Sequence, residues 1–234
     1  MPAILRTRSG GSARLARTKG ARNADYDVKR RELLGRLLPR FVDRGQGRPS
    51  FRQFAAAAGV TMPTLRHYFG DRSDVVAAVL EEYRRLGETR LRHVSVPAGD
   101  FTSSIRDFAR GLVFGLQAQG GPARLGDVFS ASLSEGLSDP EISPFALRYV
   151  LDPAVEALEQ RLAVHIERGE MRQTDLRAAA LTLIAPILLA VLHQDQMQGA
   201  SLKPVALDAL ADAVAEGFIR AYAAPSAQGE RAIA

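Results

Sequence analysis

The sequence predicts an all-α chain, and three observations carry that prediction. Apolar residues recur three and four apart over long stretches, as in Leu33, Leu34, Leu37, Leu38 and Phe41. That spacing places them on one face of a helix with 3.6 residues per turn. No stretch alternates apolar and polar residues as a half-buried strand would, and no segment repeats. Asp139-Pro140 and Asp152-Pro153 show a cap-then-proline order that opens helices. The length of 234 residues suits one small and one medium domain.

The elements follow in order. Residues 1–24 are poor in apolar side chains and rich in Gly, Ser, Ala and Arg, so they read as a disordered basic arm. Such an arm follows a phosphate backbone or enters a minor groove. Its Arg-rich, acid-free composition also suits a transit peptide or a start-site extension. A first helix is expected over about 26–44, kinked by Pro39, which removes the bond to Gly35. Ser50 then caps a short helix, with Gln53 completing a capping box. Phe54, Ala55 and Ala58 point inward, and Gly59 stops the helix because the chain needs a positive φ there. Thr61 caps the next helix, with Pro63 in its first turn. A helix, a glycine turn and a helix of this size form a helix-turn-helix, whose second helix enters the DNA major groove.

A fourth helix is expected over about 72–93, with Val75, Val76, Val79, Leu80 and Tyr83 inward. Val96-Pro97-Ala98-Gly99 marks a domain boundary. A fifth helix, about 101–118, stacks Phe101, Ile105, Phe108, Leu112 and Leu116. A sixth covers about 123–135, Asp139 starts another segment, and a long helix runs from Asp152 to about 168. Arg168-Gly169-Glu170 is a turn. The last two helices cover about 175–197 and 204–223. The domains are then 1–24, a basic arm; 25–93, a three-helix reading domain with a linking fourth helix; 100–223, a larger helical domain; and 224–234, a flexible tail.

Charge is unevenly distributed. Residues 1–24 carry +6, residues 25–93 carry +5 and residues 94–234 carry −6, which together give the net +5. A phosphate-binding surface has this asymmetry. The chain has no cysteine, so it has no disulfide and no thiolate metal site. That absence fits a reducing compartment. The longest apolar run, Ala178 to Leu192, contains Thr182 and Pro186 and reads as a buried helix too short to span a bilayer.

Residues 33–80 resemble the DNA-binding domain of the TetR (tetracycline-repressor) family of transcriptional regulators. Phe41-Val42-Asp43-Arg44-Gly45 matches the family's aromatic-x-acidic-Arg-Gly helix end. Phe54-Ala55 with Ala58-Gly59-Val60 matches its second helix. Thr61, Thr64, Leu65 and Phe69 match its recognition helix, and Arg72 fits the basic residue opening its fourth helix. Arg66 stands where the family usually has Tyr, and Tyr68 where it usually has His. The resemblance implies a cytoplasmic homodimer with a ligand pocket in each larger domain, binding a double-stranded DNA operator and a small-molecule effector, without a cofactor or membrane partner. The function expected is a ligand-responsive repressor that releases a palindromic operator on binding a small hydrophobic molecule.

Site residues follow from position. Met62, Pro63, Thr64 and His67, with Arg66, are the base-reading candidates, because the start of a recognition helix meets base edges first. Arg48, Thr61, Tyr68 and Arg72 are the phosphate candidates. Leu176, Leu183, Ile187 and Val191, with Ala206, Leu210, Val214 and Phe218, run at helical spacing on the last two helices, which in the family pair across a two-fold axis. Phe108, Leu112, Phe129, Leu133, Tyr149, Ile184 and Leu188 are expected to wall an apolar pocket, with Gln117, His165 and His193 as polar groups orienting the ligand. Few basic residues lie on apolar faces of this half, so an uncharged or weakly charged ligand is expected. Catalytic readings are weak. The four histidines show no metal-ligand spacing, and Gly-x-Ser-x-Gly is missing. A helical enzyme and a ligand-independent DNA-binding protein are the competing readings. Turnover on a substrate panel would favour the enzyme, and sequence-specific DNA retardation a DNA-binding protein.

Overall fold

The computed structural model describes residues 19–43, 45, 47–119 and 123–225, with residues 19–23 in backbone alone. Twelve α-helices are present among these residues, with no strand beyond an isolated bridge between Met171 and Ala223. The expected reading domain corresponds to α1 (Lys19–Phe41), α2 (Phe51–Ala58), α3 (Met62–Phe69) and α4 (Arg72–Leu86). The larger domain is built from α6 (Phe101–Gln117), α7 (Leu125–Ser138), α8 (Ser143–Ala146), α9 (Asp152–Glu167), α10 (Leu176–Val191), α11 (Gly199–Leu202) and α12 (Leu207–Tyr222). α5 (Glu88–Ser95) links the two.

Several boundaries differ from the sequence expectation. α1 begins at Lys19, so the last residues assigned to the basic arm are helical; the rest of the arm lies outside the described residues. The tail beyond Pro225 also lies outside them. The expected fourth helix is two helices, broken at Gly87, whose N–H turns back to the carbonyls of Tyr83, Arg84 and Arg85. Asp152 does not cap a new helix. It continues a helical run from α8 through a π-helical turn, Leu147–Leu151, and its carboxylate instead accepts from Arg177 at 2.6 Å. A second π-helical turn, Leu192–Gln196, extends α10. The combined span Leu176–Gln196 is long and apolar enough to cross a membrane by length and composition, correcting the expectation that it is too short. Here α10 packs along α6, α9 and α12, as the core helix of a bundle does.

Two apolar cores result. The first gathers Leu33, Leu37 and Phe41 of α1 with Phe54, Leu65, Val75, Val79 and Leu80. It does not end at the domain boundary: Val128 of α7 and Ile142 are buried in the same cluster. The second joins Phe101, Ile105, Phe108, Leu158, Leu162, Leu183, Ile187 and Phe218. Leu183, Ile187, Val191 and Phe218, expected at a dimer face, are buried within the chain itself. Leu176, Leu210 and Val214 are half-buried beside them, and Ala206 is exposed. The outward face of α10 is a different apolar stripe, Ala178, Leu181, Ala185, Pro186 and Leu189, and Ala209 and Ala213 are exposed on α12.

Candidate nucleic-acid interface

The helix-turn-helix is built from local bonds that its sequence specifies. The Ser50 hydroxyl accepts from the Gln53 N–H at 3.3 Å, and the Gln53 carboxamide accepts from the Ser50 N–H at 2.9 Å. Gly59 has φ 68 and ψ 33, the left-handed region in which glycine is strain-free, and its N–H reaches the carbonyls of Ala55 and Ala56. Arg36 of α1 donates to the Ala58 carbonyl at 3.1 Å, satisfying another α2 terminus. Thr61 accepts from the Thr64 N–H, and Pro63 falls in the first turn of α3, where no N–H is needed.

α3 divides cleanly by face. Leu65 and Phe69, four residues apart, are buried in the first core. That rotation leaves Met62, Pro63, Arg66 and His67 exposed, with Thr64 and Tyr68 half-buried. The Arg66 guanidinium lies 5.4 Å from the Phe51 ring centroid, a cation–π contact that holds the side chain along the α2–α3 surface. The end of α3 is anchored by Tyr26 of α1. Its hydroxyl donates to the Tyr68 carbonyl at 3.1 Å, and its ring stacks on Tyr68 with centroids 4.9 Å apart. Sequence reasoning missed Tyr26, whose signal is a lone aromatic on a highly polar stretch of α1.

Several solved structures with this arrangement of helices are transcriptional regulators. A TetR-family transcriptional regulator of Mesorhizobium loti matches with a TM-score of 0.65 at 17% identity, over 85% of this chain and 98% of that one. SmeT, the repressor of the Stenotrophomonas maltophilia multidrug efflux pump SmeDEF, matches with a TM-score of 0.57 at 20% identity, over 85% and 92%. A transcriptional regulator of Saccharomonospora viridis in complex with choline matches with a TM-score of 0.61 at 16% identity, over 85% and 100%. The chain has the TetR-regulator fold. No family sequence model matches it, and no curated protein sequence does.

Within the TetR fold, Arg48 and Arg72 meet at an internal carboxylate. Both donate to Glu135 of α7, which is 1% exposed. Arg48 reaches one carboxylate oxygen through Nε at 3.0 Å and Nη2 at 2.8 Å; Arg72 reaches the other through Nη2 at 2.5 Å. The one carboxylate balances one of the two charges, and both guanidiniums stay partly exposed, so the pair keeps a net positive charge beside the helix-turn-helix. Nothing in their local sequence signals a partner so far along the chain.

The expected pocket residues do not converge. Phe108 and Ile184 are plain core, with Leu112 and Leu188 packed against them. Tyr149 packs against the first core and stacks on Phe145. Gln117 is exposed and donates to Asp195, and exposed His193 bonds Gln194. Phe129 and Leu133 share a cavity, an apolar cleft of about 140 Å³ completed by Leu137, Leu147, Val150 and Leu151. The helical periodicity that nominated the others reports burial, whether against a ligand or against protein.

His165 is wholly buried. Its Nδ1 lies 2.6 Å from a Glu170 carboxylate oxygen and its Nε2 lies 2.9 Å from the Ser104 hydroxyl. This has the order of a serine–histidine–acid triad, yet Ser104 is also fully buried and accepts from Arg161 at 2.8 Å. No substrate reaches that hydroxyl, so the group acts as a polar tie between α6 and α9. Burial holds the Arg161 guanidinium below its ordinary pKa. Among the described residues, no group of three or more side chains is placed to hold a metal ion.

Proposed function

We propose that the chain is a homodimeric repressor that reads a palindromic operator through α3 and releases it on binding a small hydrophobic molecule. The observation that carries this reading is the exposed face of α3: Met62, Pro63, Arg66 and His67 project together from a capped, rigidly anchored helix. Half-buried Thr64 lies beside them as a further base-reading residue, and Thr61 and Tyr68 flank that face as phosphate contacts. The excess positive charge in the N-terminal part of the chain supports the same reading. SmeT is a repressor, a second SmeT structure is a triclosan complex, and the Saccharomonospora viridis regulator holds choline. These neighbours support effector control and a non-enzymatic role.

The dimer face is the outward stripe of α10 and α12. α10 is apolar nearly all round, and only 33% of its most apolar window is buried within one subunit. A second copy would cover the rest, because an isologous interface needs an apolar surface facing itself. The effector enters the cleft beside α7, between Phe129, Leu133 and Leu151. That cleft is smaller than a usual ligand pocket, so binding must part α7 from the π-helical turn. The lining supplies no charged side chain, so a neutral scaffold is expected to outcompete its acidic analogue in a thermal-shift screen. Preference for the anionic member would overturn this assignment.

Selection from random DNA is the direct test. The purified protein is expected to enrich an inverted repeat with half-site centres about 10–10.5 base pairs, or a multiple, apart. Recovery of no common sequence would overturn the reading. Arg66→Ala is expected to cost about 1–3 kcal/mol at one base position while leaving others unchanged, because an arginine can grip a guanine edge through two bonds. Equal weakening on every operator variant would assign Arg66 to phosphate instead.

A further inference from the structure

We infer that Glu135 is the positioning residue that fixes the orientation of the reading domain on the larger domain. Its carboxylate takes both Arg48 and Arg72, residues 87 and 63 positions earlier in the chain. Arg48 precedes α2 and Arg72 opens α4 directly after α3, so one buried side chain of α7 grips both flanks of the helix-turn-helix. Arg72 is itself braced, donating from Nε to the Pro49 carbonyl at 2.8 Å. Asp139 adds a longer contact to Arg48 at 4.0 Å, and the Ser73 hydroxyl donates to Glu141 at 3.3 Å. The whole seam joins α7 and the residues after it to the reading domain.

Apolar contacts across this seam, from Val128 and Ile142 with Phe145 and Tyr149 packed beside them, hold the two domains together but supply no directional bond. Charge-assisted bonds to a carboxylate are short and directional. The far end of the linker is held separately. Buried Arg161 of α9 donates to the Val94 carbonyl at 2.8 Å and the Val96 carbonyl at 3.2 Å, at the end of α5. With that end pinned, Glu135 opposes a swing of the reading domain across α7, alongside the packing of α4 on α8 and the π-helical turn. The proposed effector cleft lies along this same helix, lined by Ser132, Leu133, Gly136 and Leu137. A ligand that shifts α7 therefore moves the grip on the reading domain directly.

This inference rests on the operator-binding reading for its consequence, although its geometry can be tested without DNA. The chain contains no cysteine, so paired labels can be placed cleanly. Exposed Arg52 of α2 and exposed Glu167 of α9 are replaced by cysteine and spin-labelled, and the distance distribution is measured with and without Glu135→Gln. The glutamine keeps the shape but loses the charge, and the two arginines, partly exposed, are left to water. The distribution is expected to broaden or shift. A distribution unchanged by Glu135→Gln would overturn the inference, whatever DNA does. If that variant fails to fold, Arg48→Gln breaks one arm while leaving the Arg72 bond, and the same two outcomes apply.

Operator binding supplies the second readout. The parent is expected to prefer the selected half-site spacing over one altered by two base pairs by about tenfold or more. In Glu135→Gln that preference is expected to fall to about threefold or less, because freely swinging heads accept either spacing. A steeper salt dependence, with a slope increased by about one or more and the spacing preference intact, would overturn the positioning role. It would mean that Glu135 only withholds two phosphate-binding arginines. A parent that selects no operator defeats the functional reading, and the label distances still decide the role of Glu135.

Discussion

Leu189→Asp is expected to convert the proposed dimer to monomers and to weaken operator binding by about 10²–10⁴-fold. Leu189 is 66% exposed on the outward stripe of α10, so the substitution leaves the core of each subunit untouched. The monomer should therefore keep its fold and its melting behaviour apart from the lost association. In a dimer, each new carboxylate would be driven into the partner's apolar surface, where an unpaired charge is strongly disfavoured. The loss of operator affinity then comes from valency: one half-site alone gives up the second, effectively intramolecular, binding step. Sedimentation at concentrations where the parent is dimeric checks the first part, and anisotropy with a labelled operator checks the second. A variant that remains dimeric would place the interface elsewhere.

Gly70→Ala is expected to destabilise the reading domain by about 2–4 kcal/mol. Gly70 joins α3 to α4 with φ 94 and ψ −133, a conformation that side chains rarely adopt. An added Cβ would also clash with the Asp74 carboxylate oxygen. That oxygen accepts from the Asp71 N–H at 2.9 Å and closes the capping box that starts α4. Strain and a lost cap thus act together, and a melting temperature lower by roughly 10 °C is expected. Gly35→Ala makes the control. Gly35 lies inside α1, exposed, with nothing near an added Cβ, so alanine should stabilise by about 0.5–1 kcal/mol. Equal effects at the two glycines would refute the local argument.

The reading helices were legible because every signal that forms them is local. Ser50 with Gln53, Gly59, Thr61 and Pro63 act within four residues of the groups they satisfy, and the structure forms each of these bonds. The inward residues of α1 and α4 were legible for the same reason: a run such as Leu33, Leu34, Leu37 and Leu38 has one apolar face and one place to bury it. Helix limits were less so. The polar start of α1 gives no apolar pattern to read, and the two π-helical turns extend neighbouring helices without a cap or a break in composition.

The dimer face and the pocket illustrate the other case. α10 carries apolar residues on nearly every side, so periodicity nominated Leu183, Ile187 and Val191 as an interface although they pack against their own subunit. Leu181 and Leu189 are just as apolar and point outward. Phe108 and Phe129 also looked alike in sequence, and one is core while the other lines a cleft.

By itself, the sequence determined the all-α class, the caps and turn of the helix-turn-helix, and the rotation of α3 that exposes Arg66 and His67. Those follow from hydrogen bonds and side-chain spacing within one or two turns of chain. Only the tertiary structure decided which apolar face meets which neighbour, that Arg48 and Arg72 share Glu135, and that Arg161 holds the end of the linker. These depend on groups brought together from more than sixty positions apart, and a single sequence has no local signal for a partner supplied by the fold.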